Sequence, residues 1–409
     1  MPLNTLQKLE ILADAAKYDA SCVSSGGDKR NAGSGLGSVT GQGICHAFTP
    51  DGRCISLLKI LLTNFCIYDC AYCVSRRSSD VPRARFAVDE VVKLTLDLYR
   101  RNCIEGLFLS SGIARSVDQT MEELIRVAKN LREQHEFRGY IHLKTIPGAS
   151  PELLAEAGRY ADRLSMNVEM PTDASLSALA PEKSAVEIKR GLARTRSYID
   201  ASTEPSRGSA PPARYAPAGQ STQMVVGADR STDLDILRAS SNLYASYSLK
   251  RVYYSAFSPT GHASAQLPSR ATPLMREHRL YQADWLLRFY GFSLPEVEST
   301  LADGMLDAAL DPKLAWALAH RDAFPVDVNQ ASRESLLRVP GLGTRSVDRI
   351  VAARRHGKLR LKDVARLTAS LARVRPFIVT PDWRPRHLLE DATLRQRLAP
   401  APQQLALAL

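Results

Sequence analysis

Cysteine is scarce in this sequence and occurs in an odd number, seven residues in a chain of 409. A long chain with so few thiols does not have the composition of a disulfide-stapled secreted protein. Reduced thiols that bind metal fit this composition better, so the spacing of the cysteines along the chain is the first guide to function.

Long apolar runs are also absent. The sequence contains no stretch of about 18 apolar residues, which is the length that a membrane-spanning helix needs. Residues 1–18 also lack the basic start and apolar block of a signal peptide. We therefore expect a cytoplasmic protein without a membrane-spanning helix. Hydrophobic residues make up 44% of the chain, and its length fits two or three domains with sizeable cores.

Acidic residues are outnumbered, and the imbalance is local. The formal net charge is +11, and residues 321–409 contain 17 Lys and Arg against 8 Asp and Glu. A local excess of positive charge indicates a polyanionic partner. The alternative is a solvated basic surface that keeps the protein soluble.

Six short apolar segments alternate with helical patterns between residues 56 and 258. We predict strands at 56–63, 106–111, 140–146, 163–170, 221–228 and 250–258. Because helices separate the strands, the sheet should be parallel, either closed into a full or partial barrel or wound as an open sheet. In each of these folds ligands bind at the carboxyl ends of the strands.

Local signals mark the starts of several helices. Thr120 and Glu123 fit a capping box, Ser150 followed by Pro151 fits an N-cap with proline in the first turn, and Thr232 should cap a helix to about residue 247.

Three cysteines directly follow the first predicted strand. Cys66, Cys70 and Cys73 can face one point from a short loop. Three thiolates leave one position of an iron–sulfur cluster or a metal ion open for a ligand. The alternative is a zinc site completed by a fourth Cys or His, although zinc ligands usually come as two pairs.

Polar side chains close the other predicted strands and should line the same cavity. They are Ser110, Ser111, Lys144, Asn167, Glu169, Gln223, Tyr254 and Ser255. Each one alone fits an ordinary polar residue at a strand end, whereas the whole set favours a ligand site. Lys144, Glu169, Gln220 and Gln223 are our candidates for cofactor or substrate contacts.

The remaining cysteines have looser spacings. Cys22, Cys45 and Cys54 predict either a second metal site or scattered small buried residues. Cys103 stands near a helix end, where we expect a structural role.

Composition divides the chain into five segments. We expect a Cys-containing extension at 1–54, a barrel at 55–260 with a mobile insertion at 192–219, a helical connector at 261–325, a small helical domain at 326–380 and a basic tail at 381–409.

The spacing of Cys66, Cys70 and Cys73, with Tyr72 before the last cysteine and a strand before the first, resembles the radical SAM superfamily. The resemblance implies that the three cysteines hold a [4Fe–4S] cluster, that S-adenosylmethionine binds its fourth iron, and that Tyr72 lies near the adenine. In that family the reduced cluster cleaves S-adenosylmethionine to a 5′-deoxyadenosyl radical, which abstracts hydrogen from the substrate. Such chemistry requires a walled site that keeps the radical from solvent.

Two details bear on the cofactor contacts that this resemblance implies. Many family members end the second strand in Gly-Gly-Glu, whereas this chain has Ser110-Ser111-Gly112 and no Glu. Gly227 fits the family's glycine at the end of a later strand. The implied S-adenosylmethionine contacts are Tyr72, Ser110, Ser111, Gly112, Lys144, Asn167, Glu169, Gln223 and Gly227.

Residues 329–355 resemble a helix-hairpin-helix DNA-binding module, with Leu336-Leu337-Arg338-Val339-Pro340-Gly341-Leu342-Gly343 at the centre. The resemblance implies that Gly341, Gly343 and Thr344 let backbone amides face a phosphate, and that Arg345 and Arg349 add charge. Such contacts position a duplex without reading its sequence. The alternative is a generic helical hairpin.

Together, the two motifs resemble radical SAM proteins described as DNA modification or repair proteins. The similarity extends over most of the chain and includes residues 18–22, 43–46, 58–86, 142–148, 216–224 and 251–259. We therefore predict an α/β protein with a partial (βα)6 TIM-like radical SAM barrel and a small all-α helix-hairpin-helix domain, acting on a nucleotide of duplex or single-stranded DNA.

The resemblance also implies partners. These are an electron donor, such as a flavodoxin or ferredoxin, and a protein related to uracil-DNA glycosylases. Two other functions stay open, namely an RNA-modifying radical SAM enzyme and a non-catalytic iron–sulfur protein that binds DNA and senses redox state.

Overall fold

The computed structural model describes residues 3–16, 43–48, 54–204, 214–259, 264, 266–385 and 391–399. They fall into two compact units. The first unit comprises Met1–Arg230 with Asn242–Thr272, and the second comprises Ser231–Ser241 with Pro273–Leu409. Within the described ranges, no helix is long and apolar enough to cross a membrane.

A seven-stranded sheet forms the centre of the first unit. Its strands lie side by side in chain order: β1 Ile44–Phe48, β2 Cys54–Leu61, β3 Gly106–Ser110, β4 Tyr140–Lys144, β5 Arg163–Ser165, β6 Gln220–Val226 and β7 Arg251–Ala256. β2 to β7 pair in parallel, while β1 runs antiparallel to β2. The sheet curls into a half barrel, so the predicted fold class is confirmed. The six predicted strands are present, and β1 is an addition to them.

Amphipathic helices connect the parallel strands. They are α2 Val88–Arg100, α3 Val117–Lys129, α4 Pro151–Tyr160, α5 Asp173–Leu179, α6 Ala185–Thr203 and α7 Asp233–Tyr247, and a π-helical turn at Asn130–Gln134 prolongs α3. A further helix, α1 Thr5–Ala16, precedes β1 in the chain. In α2, Val91, Val92, Thr95 and Leu96 are buried at helical spacing, as expected for a helix with one face on a sheet.

One predicted helix start is wrong and another is confirmed. α3 begins at Val117, because the Ser116 hydroxyl accepts a hydrogen bond from the Gln119 amide at 3.2 Å. Thr120 therefore lies inside the helix, where its hydroxyl donates to the Ser116 carbonyl at 2.7 Å. Ser150 caps α4 as predicted, with Pro151 as the first helical residue.

The predicted insertion does not begin at residue 192. Helix α6 continues to Thr203, and Ile188, Leu192 and Thr195 are buried at helical spacing along it. Serine and arginine on the exposed side of a helix resemble a loop in composition, which explains the error. Residues 205–213 lie outside the described part of the chain.

Alternate residues of the parallel strands line the interior of the half barrel. They are Phe108 and Ser110 of β3, His142 and Lys144 of β4, Ser165 of β5, Gln223 of β6, and Tyr253 and Ser255 of β7. His142 is buried and shares a hydrogen bond of 2.9 Å with the Ser165 hydroxyl. Burial, reinforced by the nearby Arg163 charge, lowers the pKa of His142 well below its usual value, so the ring is neutral.

The second unit is mostly helical. It contains the first part of α7, up to Ser241, and then α8 Leu274–Phe289, α9 Leu294–Glu298, α10 Pro312–Ala319, α11 Arg333–Arg338, α12 Thr344–Ala353, α13 Leu361–Leu367, α14 Leu371–Val374 and α15 Leu394–Leu398. Two short parallel strands, β8 Val326–Asp327 and β9 Ile378–Val379, pair with each other. Two 3-10 turns, Arg321–Ala323 and Arg375–Phe377, complete the unit.

A tight turn joins α11 to α12. The Leu342 amide donates to the Val339 carbonyl at 3.2 Å, and Gly341 has a φ of +85°, which a residue with a Cβ adopts only with strain. The predicted helix, turn and second helix are thus present. Val347 and Ile350 are buried, whereas Arg345 and Arg349 are exposed.

Candidate cofactor site

The three cysteines lie in the loop that follows β2. One side chain holds this loop: the Arg83 guanidinium donates to the carbonyls of Asn64, Ser75, Arg76 and Ser79. The Asn64 side chain adds bonds to the Pro82 carbonyl and the Ala84 amide, each at 2.8 Å. A loop with little regular secondary structure is therefore built around a fixed frame.

The end of β3 packs closely against the start of this loop. A Cβ placed on Gly112 would lie 2.5 Å from the Phe65 carbonyl oxygen, so only glycine fits there without a shift. The Gly112 amide donates to the Thr63 carbonyl at 2.7 Å, and the Ile67 amide donates to the Ile113 carbonyl at 2.8 Å. These contacts place Cys66 beside the carboxyl end of β3.

A cavity of about 190 Å³ opens where the cysteine loop meets the strand ends. The predicted site residues that line it are Cys66, Cys70, Tyr72, Cys73, Ser110, Ser111, Gly112, Lys144, Asn167, Glu169, Gln223 and Ser255. Because side chains alternate along a strand, those of Ser110, Lys144, Gln223 and Ser255 enter this cavity from four different strands.

Three predicted contacts do not line the cavity. Gln220 begins β6 at the opposite end, and its amide donates to the carbonyls of Leu192 at 3.1 Å and Tyr247 at 2.7 Å. Tyr254 is buried on the other side of β7 from Tyr253 and Ser255. Gly227 has a φ of +78°, and a Cβ there would lie 2.2 Å from the Thr272 hydroxyl. The lack of a side chain at Gly227 therefore leaves room for the Thr272 side chain.

A buried ion pair forms one wall of the cavity. The Lys183 ammonium lies 2.6 Å from the Glu169 carboxylate, with side-chain exposures of 16% and 8%. Burial alone would lower the pKa of Lys183, but the Glu169 charge outweighs it and raises the pKa well above its usual value. Lys183 is thus charged at neutral pH. The sequence analysis did not identify it, because it follows helix α5 and not a strand.

Glu169 is held in an unusual backbone conformation. Its φ is +64°, in the left-handed region that few residues other than glycine adopt. Its amide donates to the Gln223 carbonyl at 3.1 Å and its carbonyl accepts from the Val225 amide at 2.7 Å, so strand β6 fixes it. The Asn167 amide group lies 3.4 Å from the Glu169 carboxylate and 3.5 Å from the Gln223 side-chain oxygen.

Tyr72 contributes a buried hydroxyl that makes no hydrogen bond to the described residues. Burial, together with the charge of Glu169, raises the pKa of Tyr72 well above its usual value. A buried polar group without a partner is uncommon in a folded protein. A polar ligand in the cavity would supply the missing partner.

Two of the three thiols strongly favour their protonated form. Burial raises the pKa of Cys70 to about 11 and that of Cys73 to about 12, so binding of a metal must release their protons. Among the described residues no three His, Cys, Asp or Glu side chains surround one ion. A [4Fe–4S] cluster bound by three thiolates attaches each to a different iron, so it does not need such convergence. The donor set fits a cluster with one open iron.

The predicted second metal site is not brought together. In the β1–β2 register Cys45 pairs with Leu57, so these two side chains share a face of the sheet. Cys54 lies three residues from Leu57 along β2 and points to the opposite face. Cys45 is buried, Cys54 is exposed, and Cys22 lies outside the described residues. Cys103 is exposed and its thiol approaches the Arg101 carbonyl at 3.7 Å.

The hairpin of the second unit is held by two side chains that precede it. The Lys313 ammonium donates to the Leu342 carbonyl at 2.6 Å. The Tyr290 hydroxyl is hydrogen-bonded by the backbone of Thr344. This bond fixes the first turn of α12 against Tyr290. Gly341, Gly343, Thr344, Arg345 and Arg349 stay predicted contacts.

Comparison with known families defines the class of the first unit. A family model described as the radical SAM superfamily matches residues 60–204. The chain therefore carries a radical SAM superfamily domain, and the predicted cofactors, a [4Fe–4S] cluster and S-adenosylmethionine, are those of this superfamily. Enzymes of this class commonly need an electron donor. No curated protein matches the sequence.

Several solved structures are similar to part of the chain. HydG, a maturase of the [FeFe]-hydrogenase, is 12% identical with a TM-score of 0.41, and the alignment covers 55% of this chain and 48% of HydG. HydG from Carboxydothermus hydrogenoformans is 16% identical with a TM-score of 0.43, and the alignment covers 56% of this chain and 49% of that protein. Methylornithine synthase is 14% identical with a TM-score of 0.44, and the alignment covers 56% of this chain and 61% of the synthase. The match spans less than two thirds of each of these proteins, and likenesses this distant carry no argument about substrate.

Proposed function

We propose that this protein is a radical SAM enzyme that modifies or repairs a nucleotide in DNA. The observation that supports the enzymatic part is the cavity in which Cys66, Cys70 and Cys73 meet polar side chains from four parallel strands. In this proposal the three thiolates hold a [4Fe–4S] cluster. When bound, the cluster and S-adenosylmethionine supply a radical that abstracts hydrogen from the substrate.

The side chains around the cysteines have distinct tasks in this proposal. Lys183 and Glu169 offer a cation and an anion in a buried site, where charge–charge contacts are strong. Tyr72 offers a hydroxyl, and Lys144 offers a second cation from β4. The curled sheet forms the floor of the cavity that they line. These residues would bind and orient S-adenosylmethionine.

The choice of DNA is supported by the second unit. Arg345 and Arg349 are exposed on α12, directly after a glycine-containing turn between two helices. Residues 321–409 contain 17 basic residues against 8 acidic ones. An exposed basic hairpin contacts phosphates and holds a nucleic acid without reading its sequence. A base inside a duplex would have to be extruded to reach a cavity of this kind.

The enzymatic part is tested by anaerobic reconstitution with iron and sulfide, followed by reduction and addition of S-adenosylmethionine. We expect about four irons per chain and formation of 5′-deoxyadenosine. Cys70→Ala should lose both, whereas Cys103→Ala, a cysteine far from the loop in sequence and exposed, should lose neither. A fully loaded, reduced protein that leaves S-adenosylmethionine intact would instead support the non-catalytic, redox-sensing function.

The polymer is tested separately. Affinities of the whole protein for DNA and RNA duplexes of one sequence, measured at several salt concentrations, decide between DNA and RNA modification. Tighter binding of RNA would favour the RNA-modifying alternative. A flavodoxin or ferredoxin as electron donor, and a partner related to uracil-DNA glycosylases, belong to the same proposal, and co-purification with the reconstituted protein tests them.

A further inference from the structure

The second unit contains a hollow that the proposed function does not use. It has a volume of about 910 Å³ and lies beside the 3-10 turn Arg375–Phe377, the turn that follows β9, and helix α15. Its wall is made of Ala372, Arg375, Pro376, Pro381, Asp382, Trp383, Arg384, Leu394, Arg397 and Leu398. Arginine, an aromatic ring and apolar side chains are thus combined in one open site.

An arginine and a tryptophan form a fixed pair in this wall. The Arg375 guanidinium lies 3.7 Å from the centroid of the Trp383 ring, and the Trp383 indole N–H donates to the Arg375 carbonyl at 3.0 Å. Backbone hydrogen bonds between Thr380 and Trp383, at 2.9 and 3.1 Å, fix the turn that carries the indole. A planar cation is therefore held against an aromatic ring before any ligand binds.

The charge of the hollow is positive. Arg375, Arg384 and Arg397 are exposed, and among the described residues of the wall Asp382 is the one with an acidic side chain. The Asp382 carboxylate accepts hydrogen bonds from the Leu361 amide and the Thr380 hydroxyl, both at 2.9 Å. Its donors are neutral, so it keeps its negative charge, but the three arginines of the wall outnumber it.

Arg397 has a weak partner. It lies 2.9 Å from Asp391, in a pair whose side chains are 58% and 26% exposed. An ion pair open to solvent contributes little. An incoming phosphate can replace it at small cost, so this pair does not close the site to an anionic ligand.

We propose that this hollow binds one unpaired nucleotide of single-stranded DNA. The base stacks on the Arg375–Trp383 pair and packs against Pro376 and Pro381, while Arg384 and Arg397 contact the phosphates. Aromatic and guanidinium faces with a positive groove are how proteins hold single strands, whereas a duplex keeps its bases stacked inside. The inference rests on the nucleic-acid target of the proposed function and adds a place for an unpaired nucleotide.

The test compares labelled oligothymidine with a DNA hairpin duplex of the same nucleotide number, by fluorescence anisotropy on the whole protein. Trp383→Leu should weaken binding of the single strand about 5- to 150-fold, the effect of losing one base stacked on an aromatic ring. It should leave duplex binding unchanged. Arg384→Gln should lower the slope of log affinity against log salt by about 0.7. The second variant alters an exposed side chain, so it tests the site even if Trp383→Leu disturbs the turn.

Two matched controls lie in the same unit outside the hollow. Trp285→Leu removes a tryptophan of α8 that is 47% exposed, and Arg366→Gln removes an exposed arginine of α13. Both should bind oligothymidine like the wild type. If Trp383→Leu and Arg384→Gln match these controls, the inference is overturned.

The outcomes also separate this inference from the proposed function. If duplex binding depends on Arg345 and Arg349 but the single strand is insensitive to Trp383, only the nucleotide site fails. If the wild type binds neither form of DNA, the DNA target fails with it. Tighter binding of oligouridine than of oligothymidine, lost in Trp383→Leu, would overturn the assignment to DNA.

Discussion

The cofactor cavity is shaped by Glu169, which the strand pattern predicts, and by Lys183, which that pattern does not reveal. Lys183 follows helix α5 and reaches Glu169 across the strand ends, and Glu169 adopts a positive φ that strand β6 stabilises. Backbone strain of this kind persists only where the surrounding structure holds it, and it is concentrated at functional sites. The pair is therefore a structural element of the cavity wall and a candidate contact for a charged ligand.

We expect Lys183→Met to destabilise the first unit by about 3–5 kcal/mol, because it leaves the Glu169 carboxylate buried without its partner. Urea unfolding at neutral pH measures the loss. The double variant Lys183→Met/Glu169→Gln should recover most of it, since no buried charge then remains unpaired.

The exposed pair of Lys189 and Asp173 provides the control. Its side chains are 52% and 64% exposed, so Lys189→Met should change the unfolding free energy by less than about 1 kcal/mol. Equal effects of the two lysine substitutions would show that burial does not strengthen the Lys183–Glu169 pair.

At the scale of elements, the cysteine loop depends on one arginine. Arg83 donates to four backbone carbonyls of this loop, and each charge-assisted hydrogen bond of this kind contributes about 1.5–3 kcal/mol. No helix or strand could replace these bonds, because the loop turns repeatedly to present three thiols to one cavity.

We expect Arg83→Met to reduce the iron bound after anaerobic reconstitution several-fold, because the thiols are no longer held in place. Iron per chain and protease cleavage within residues 64–85 measure the change. Arg85→Met is the matched control, since Arg85 pairs with Glu123 and has a 38% exposed side chain. Full iron loading of Arg83→Met would mean that the cluster itself can organise the loop.

The hairpin between α11 and α12 depends in a similar way on Lys313. Its ammonium is buried, donates to the Leu342 carbonyl and lies 4.7 Å from the centre of the Tyr290 ring. Burial lowers the pKa of Lys313 to about 7, from the usual value near 10.5 in an unfolded chain. Between these values the unfolded state binds more protons than the folded state, so stability rises with pH.

We therefore expect the wild type to gain up to about 1.4 kcal/mol per pH unit between pH 7 and 10, relative to Lys313→Met. Below pH 7 the amine is charged in both states and the two pH profiles should run parallel. Urea unfolding at four pH values tests this. Lys362→Met, at an exposed position of α13, should retain the wild-type slope, and parallel profiles of Lys313→Met above pH 7 would contradict the expectation.

At the scale of the whole molecule, the residues of the proposed cofactor chemistry and those of the proposed nucleic-acid binding belong to different compact units. The cavity and the three cysteines belong to the first unit, and the basic hairpin belongs to the second. The two activities should therefore respond to different substitutions.

We expect Arg345→Gln/Arg349→Gln to weaken binding of duplex DNA and to lower its salt slope by about 2, one unit for each phosphate that is no longer neutralised. Iron content and cleavage of S-adenosylmethionine without DNA should stay at wild-type values. Arg190→Gln/Arg194→Gln on α6, in the other unit, controls for net charge. An unchanged salt slope would mean that the hairpin does not contact phosphate.

Most of the fold follows from patterns within short windows of sequence. Apolar runs of strand length separated by helical periodicity predicted all six parallel strands, because burial on both faces of a sheet demands such runs. Strand β1 was missed, since it lies among turn residues and pairs at an edge. The start of α3 was misplaced, because Ser116 and Thr120 are both acceptable caps and only the backbone decides between them.

The candidate site was predictable only where the chain concentrates its residues. Cys66, Cys70, Tyr72 and Cys73 lie within eight positions. Ser110 and Lys144 are the last residues of β3 and β4, whose carboxyl ends lie at one edge of the sheet. The prediction that Gln220 lies at the cofactor cavity was wrong, because the start and the end of a strand look alike in sequence until the strand's bounds are known. Cys45 and Cys54 were grouped by proximity in sequence, although pleating sends them to opposite faces of the sheet.

The sequence by itself determined the alternation of strand and helix, the three-thiol motif after the first parallel strand and the location of the positive charge, because each is a property of neighbouring residues. The tertiary structure decided which polar residues share the cavity, that Lys183 neutralises a strained and buried Glu169, and that Lys313 and Tyr290 hold the hairpin. It also decided that Arg375 and Trp383 face a common hollow. These contacts join residues distant in the chain, and only packing and the hydrogen-bond register bring them together.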